Sequence, residues 1–261
     1  MLYVVIPVYN HAEALGECLS SLNGQTLRPD RIVIVDDGST DNPEVVVRAW
    51  ENKLPITFVR QENRGAAAAR NRGFSVILEE PAAGDDRIQS GSYRPDKSGL
   101  QDDHIIFCDA DVTMHPDYLE KMHRALAEHP EVSYAYSSFK FGFKTFTCGS
   151  FSAERLREMP YITTTSLIRA KDFSGFDESL KKFQDWDLWL MMLAQKKTGV
   201  WVPEVLFSIT PRKSGMSVWL PSFVHKIPWP IFGWTPREVR RYREAERVIL
   251  EKHGLSSFRA K

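Results

Sequence analysis

Cysteine is scarce in this chain: there are three, Cys18, Cys108 and Cys148. They form neither an even-numbered disulfide set nor a metal-ligand spacing, which argues against a disulfide-stapled secreted domain and a cysteine-built zinc site. Cys108 lies in an apolar run and reads as a small core residue. The expected compartment is therefore reducing and cytoplasmic. Net charge is also absent, with 34 basic and 34 acidic side chains. A general nucleic-acid binder would show a basic excess, so nucleic acid is not an expected partner. No apolar run approaches the ~18 residues of a membrane span. The opening stretch MLYVVIPVYN is short and lacks the basic flank and small-residue cleavage site of a signal peptide. No internal repeat is visible.

What is present is an ordinary globular composition, 43% hydrophobic and 26% charged over 261 residues. That length suits one large domain or two small ones, with a sizeable core. The first half alternates strands and helices. LYVVIPV, RIVIV (31–35), ITFVR (56–60) and the run at 104–108 read as buried strands. Between them, Asn10 and Glu13 predict a capping box for a helix with Leu15, Leu19 and Leu22 inward, ended by Gly24. Asn42-Pro43 opens a second helix, and a third spans about Gly65 to Glu79. Alternation of this kind implies right-handed crossovers and a mainly parallel sheet flanked by helices.

Residues 80–103 break the rhythm. They are polar, rich in Gly, Pro, Ser and Asp, and read as a long surface insertion. The second half is less regular. DYLEKMHRALAEH predicts a helix with Leu119, Met122 and Leu126 inward, and VSYAYSSFKF alternates like a strand. QDWDLWLMMLAQKK is apolar nearly all round and so predicts a buried helix. Thr235 as N-cap, Pro236 at the first helical position and Glu238 predict a last helix to about His253, with Val239, Tyr242 and Ile249 on one face.

Polar clusters stand where the first four strands stop: PVYN, DDGSTD, ENRGAAAARN and DAD. Ligands of open parallel sheets bind beyond the carboxyl ends of the strands. Asp109 and Asp111 at the fourth end repel each other unless a cation lies between them, and hard divalent ions favour oxygen ligands. Taken alone, this spacing is better described as a solvated turn that caps the following helix.

The order VVIPVYN, VDDGSTD, ENRGAAAARNRG, DAD, then GFDE with QDWDLWL resembles the family 2 glycosyltransferases of the GT-A (nucleotide-diphospho-sugar transferase) fold. The resemblance covers residues 2–79 and 104–217. It implies a nucleotide-diphosphate sugar donor of the UDP, GDP or dTDP type, Mn²⁺ or Mg²⁺, inversion at the anomeric carbon, and a saccharide or lipid-linked saccharide acceptor. It also implies work in cell-surface polysaccharide or glycolipid synthesis. Pro7, Val8, Tyr9 and Asn10, with the turn after Val35, would form the nucleoside cleft. Asp37 would accept a hydrogen bond from the base, and Asp36 would orient the turn or meet base or ribose. For this pair the structural alternative is an Asx-type turn. Arg64 matches the nucleotide-contacting arginine, whose planar donors suit phosphate or base edges. Asp109, Ala110 and Asp111 match the metal-binding motif, with Asp109 and Ala110 also beside the nucleotide. Arg70 and Asn71 are expected to fix their helix against its neighbours.

Two departures stand out. The family's acidic pair is Gln184-Asp185 here, which leaves Asp185 as the candidate base, favoured in its ionised form by the helix N-terminus. Asp187 points elsewhere on the helix and reads as structural, and it is the rival candidate for the base. In ITPRKSGMSV (209–218) the family's histidine is missing, although Arg212 or Lys213 could close over the diphosphate. The aromatic, proline-broken stretch 218–234 fits packing on the core, a dimer contact, or peripheral contact with the inner membrane face. The expected organisation is one continuous domain. It has a nucleotide-sugar half (1–111), an acceptor-binding and catalytic half (112–235), and a C-terminal helix and tail (236–261). A nucleotidyltransferase would want a Gly-rich basic phosphate loop after the first strand, which PVYNHAEAL does not offer. A non-catalytic nucleotide or glycan binding module would not need Asp185.

Overall fold

The computed structural model describes residues 1–79, 100–211 and 236–255. Its strands are β1 (Leu2–Val8), β2 (Arg31–Asp36), β3 (Ile56–Arg60), β4 (His104–Phe107), β5 (Val112–Met114), β6 (Tyr134–Phe141), β7 (Lys144–Phe146), β8 (Leu167–Arg169) and β9 (Gly199–Ile209). The helices are α1 (Ala12–Asn23), α2 (Pro43–Arg48), α3 (Ala66–Glu79), α4 (Tyr118–Glu128), α5 (Ala153–Glu158), α6 (Gln184–Ala194) and α7 (Arg237–Lys252). All described strands join one sheet in the order β3-β2-β1-β4-β8-β6-β9-β5, with β7 beside β6. The stretch β3-β2-β1-β4 is parallel throughout. Beyond it β8 runs antiparallel to both neighbours, β6 and β9 pair in parallel, and β5 closes the edge antiparallel to β9.

The parallel strands are continuous apolar runs because both faces of the sheet are covered. Residues of β1 alternate between two cores. Tyr3 and Val5 join α3 and α6 on one face, while Leu2, Val4, Ile6 and Val8 join α1 and α4 on the other. The small residues of α3 let it lie close to the sheet. A side chain at Gly73 would come within 2.3 Å of Val5 Cγ1, so only glycine fits there.

Three expectations change. Asn10 does not cap α1: it has φ 53°, and its Oδ1 accepts hydrogen bonds from the Thr40 amide and hydroxyl. The Ala12 amide at the start of α1 instead donates to Asp41 Oδ2 at 2.8 Å. A long-range carboxylate thus does what a local capping box was expected to do. The insertion ends earlier than 103: Leu100 and Asp103 are buried, and the Asp103 carbonyl accepts from the Ala170 amide. Residues 80–99 lie outside the described residues. Strand β6 forms where the alternation predicts a strand; it is buried over Tyr134–Ser138 and lies between β8 and β9 in the sheet. Pro236 precedes α7 rather than opening it, and Thr235 lies outside the described residues. Among the described residues no helix is long and apolar enough to cross a membrane.

At the opposite end of β4 from the polar rim, His104 is buried with its Nε2 unbonded, edge-on to His123 at 5.1 Å. Burial first, then His123 and the nearby cations, lower its pKa to about 4. The folded chain therefore disfavours the proton that an unfolded histidine accepts below ~6.5. The stabilisation is full above that value and is lost as pH falls toward 4. Between about pH 7 and about pH 4.5 this group should remove on the order of 2 kcal/mol. Denaturant melts at the two pH values should show that loss in the wild type and a correspondingly smaller one in His104→Phe. Equal losses in both would show that His104 does not carry the effect.

Candidate active site

The four parallel strands point the same way, so their carboxyl ends share one edge of the sheet, and the polar clusters meet there. The loop after β1 and the turn after β2 are tied together. The Asp37 amide donates to the Val8 carbonyl at 2.8 Å and the Asn10 amide to Ser39 Oγ at 2.9 Å. Asp36 is buried, accepts from the Ser39 amide through Oδ1, and has Arg60 Nε at 3.5 Å from its Oδ2. Arg60 also reaches the Ser39 carbonyl. Asp36 thus orients the turn, and Gly38 completes it at φ 79°.

Asp37 is only 3% exposed. Its Oδ1 accepts from Gln61 Nε2 and the Arg64 amide, and its Oδ2 from the Gly65 amide, each at 2.8 Å. These bonds occupy three of a carboxylate's roughly four acceptor positions. Asp37 therefore staples the loop that leads into α3, a duty that sequence reasoning did not include. Pro7 and Val8 are buried behind this rim, whereas the Tyr9 ring is 48% exposed beside it. Arg64 reaches outward to Glu178 in the GFDE loop, at 2.9 Å. Asn71 holds that same loop through both the amide and the carbonyl of Phe176.

At the end of β4, Ala110 is buried and Asp109 has a 44% exposed side chain. The Asp111 carbonyl accepts from Thr210 at the end of β9, fixing the acidic turn to the far half of the sheet. Arg70 is the residue whose part sequence reasoning missed. It is 6% exposed, yet Nη2 lies 2.5 Å from Asp109 Oδ1, Nη1 lies 2.9 Å from Gln184 Oε1, and the guanidinium stands over Phe176 at 5.3 Å. A charged residue inside an alanine run was the available signal, since a buried arginine must find a partner. Gln184 also donates to the Leu180 carbonyl at 2.7 Å. An ionised glutamate there could accept from Arg70 but could not donate to Leu180, which gives the departure from an acidic pair a physical meaning.

Asp185 follows directly, half-buried, with Oδ1 accepting from the Trp186 amide at 2.9 Å. Burial raises its pKa, opposed by the Trp186 hydrogen bond and by Arg70, and reinforced by Asp109. The expectation that the helix terminus favours the ionised form is thus reversed: desolvation outweighs it. Asp187 is fully buried and bound by Lys252 and His253. Arg212, Lys213 and the stretch 218–234 lie outside the described residues.

Asp109 and Asp111 offer only oxygen donors, and Asp109 Oδ2 has no partner among the described residues. Among those residues no cluster of three or more His, Cys, Asp or Glu side chains could close around an ion. The pair therefore fits a hard cation that takes its remaining ligands from phosphates and water.

Residues 3–80 match the family model described as glycosyl transferase family 2. Over that part, just under a third of its length, the chain is similar to that family. The uncharacterized glycosyltransferase YibD of Escherichia coli is 29% identical over 170 residues, 64% of this chain and 43% of its own length. The chain thus spans less than half of that relative. Among solved structures, Staphylococcus aureus TarS 1–349 in complex with UDP-GlcNAc superposes with TM-score 0.64 at 19% identity, covering 96% of this chain and 70% of that one. The Pyrobaculum calidifontis mannosyltransferase PcManGT, in complex with GDP-Man and Mn²⁺, gives TM-score 0.56 at 20% identity, covering 95% and 69%. At such identities these likenesses establish the fold, which is GT-A.

The staple role of Asp37 is testable. An asparagine can accept on only one of its two positions, so Asp37→Asn should cost about 1.5–3 kcal/mol in a denaturant melt. A loss under about 0.5 kcal/mol, the size of an ordinary surface change, would mean that the loop does not depend on this carboxylate.

Proposed function

We propose that this chain is an inverting, metal-assisted glycosyltransferase that moves a sugar from a nucleoside-diphosphate donor to an acceptor hydroxyl. The observation that carries the reading is the Arg70 bridge. It ties Asp109, at the donor end of the sheet, to Gln184, the neighbour of Asp185. The UDP-GlcNAc and GDP-Man held by the two structural neighbours support a nucleotide-sugar donor.

The nucleoside would lie along Pro7–Asn10 and the 36–41 turn, with the exposed Tyr9 ring offering a flat apolar surface to the base. Arg64, anchored at the cleft mouth by Glu178, can turn its guanidinium to the nucleotide. Asp109 and Asp111 would hold Mn²⁺ or Mg²⁺, which when bound neutralises charge on the departing diphosphate. The Mn²⁺ in the Pyrobaculum mannosyltransferase supports this assignment. Asp185 would take the proton of the acceptor hydroxyl as its oxygen attacks the sugar from the side opposite the diphosphate. The raised pKa suits that task, because a carboxylate of ordinary pKa is a weak base at neutral pH. A saccharide or lipid-linked saccharide is the acceptor class that fits, and cell-surface polysaccharide or glycolipid synthesis the setting.

Two experiments test this. Calorimetry should show Mn²⁺-dependent nucleoside-diphosphate binding weakened at least ~10-fold in Asp109→Asn and Asp111→Asn, with folds intact. Unchanged binding in both would remove the metal assignment. Asp185→Asn should bind donor and metal normally while turnover falls by roughly 10²–10⁴-fold. In the wild type, the base must be ionised, so kcat should fall with decreasing pH along a limb centred above the usual Asp value of ~3.9. Wild-type turnover in Asp185→Asn with donor affinity intact would end the base assignment.

A further inference from the structure

The first turn of α6 is held from both ends by α7. Phe183, immediately before Gln184, sits at φ 59°, a left-handed conformation that is uncommon for a bulky side chain. Such a conformation persists only where the surroundings hold it. Here Phe183 packs edge-on against Trp186 of its own helix at 5.6 Å and against Tyr242 of α7 at 5.0 Å. The turn closes where the Asp187 amide donates to the Phe183 carbonyl at 2.9 Å. At that closing residue, the fully buried Asp187 carboxylate meets α7 again. Lys252 Nζ lies 2.8 Å and His253 Nε2 2.8 Å from its Oδ1. Asp185 is in the middle of this turn.

Lys252 makes a second bond, 2.6 Å to Asp177 Oδ2 in the GFDE loop. The Lys252 hydrogen bond, then those from Ser179, hold the Asp177 carboxyl at about 2. The next residues of that loop are bound by Asn71 and Arg64 of the donor side. One lysine thus touches both the helix that carries Asp185 and the loop that borders the nucleotide cleft. A buried carboxylate such as Asp187 is seldom the most stable filling for such a space, since apolar residues of similar volume often do as well or better. Its directional bonds fix a geometry that apolar contacts would leave free to slide.

We propose that α7 is a clamp on the strained first turn of α6, with Tyr242, Lys252 and His253 as positioning residues for Asp185. The proposal rests on the base reading of Asp185. It also gives the buried Asp187 side chain a duty, as the anchor for Lys252 and His253. Misplacing a reacting group by about 1 Å can cost as much as 100-fold in rate, so a loosened turn should be visible in turnover.

The test pairs hydrogen exchange with kinetics on the full chain. Tyr242→Leu leaves the ionic cluster intact, Lys252→Met cuts it, and Lys252→Arg restores a cation. In Tyr242→Leu and Lys252→Met, amides of 184–188 should exchange at least ~10-fold faster while β1–β4 keep their protection. Turnover should fall ~10-fold or more with donor KM within about twofold, and Lys252→Arg should recover most of it. Unchanged exchange at 184–188 in folded Tyr242→Leu overturns the clamp, as does protection lost evenly across the sheet. Faster exchange with wild-type turnover, while Asp185→Asn is inactive, overturns positioning. If Asp185→Asn itself transfers sugar at the wild-type rate, the base reading falls and exchange alone decides the clamp.

Discussion

The Arg70 guanidinium is the joint on which the site depends. It reaches the rim from α3, and α3 can lie close enough because alanines and Gly73 face the sheet. Once buried, the cation must be paired, because an isolated charge in the interior is too costly to keep. Asp109 and Gln184 supply that pairing from opposite halves of the chain. The packing of one helix therefore determines where an acid at the end of β4 stands relative to the start of α6. Losing Arg70 would leave Asp109 facing the cleft without its partner and would release Gln184 from one of its two bonds.

The wider architecture explains why polar groups gather at this edge. Along β1, β2 and β4 every position is buried, so the strands have no room for chemistry until they stop. At their ends the carboxylates divide into two kinds. Asp36 and Asp37 are enclosed and spend their oxygens on the loops, whereas Asp109 stays accessible. The enclosed pair shapes the rim on which the accessible one stands. Across the sheet, β6 and the antiparallel β8 carry the chain round to α6, which brings Asp185 to the same rim from far along the sequence.

Much of this could be read from residues alone, for identifiable reasons. Strands β1 to β4 are runs of β-branched and aromatic residues bounded by turn formers, and the acids at their ends are conspicuous against them. The burial of Leu119, Met122 and Leu126 followed from helical periodicity. What escaped were partnerships over long sequence distances. The α1 cap comes from Asp41, 29 positions from the amide it caps, and Arg70 meets Asp109 across 39 residues. The short strands β5, β7 and β8 have three residues each, too few to show a period. The acidity of Asp185 depends on how deeply α6 is buried, which no residue spacing reveals.

The central claim is that one carboxylate, facing an acceptor across the sugar from the diphosphate, carries out a single displacement. Its most direct test is the configuration of the first-formed product. With a nucleotide sugar the chain accepts and Mn²⁺ present, water can serve as the simplest acceptor. Proton NMR of the released sugar, recorded before mutarotation, should show the anomeric configuration opposite to that of the donor. Retention of the donor's configuration would require a second covalent step and would contradict the account.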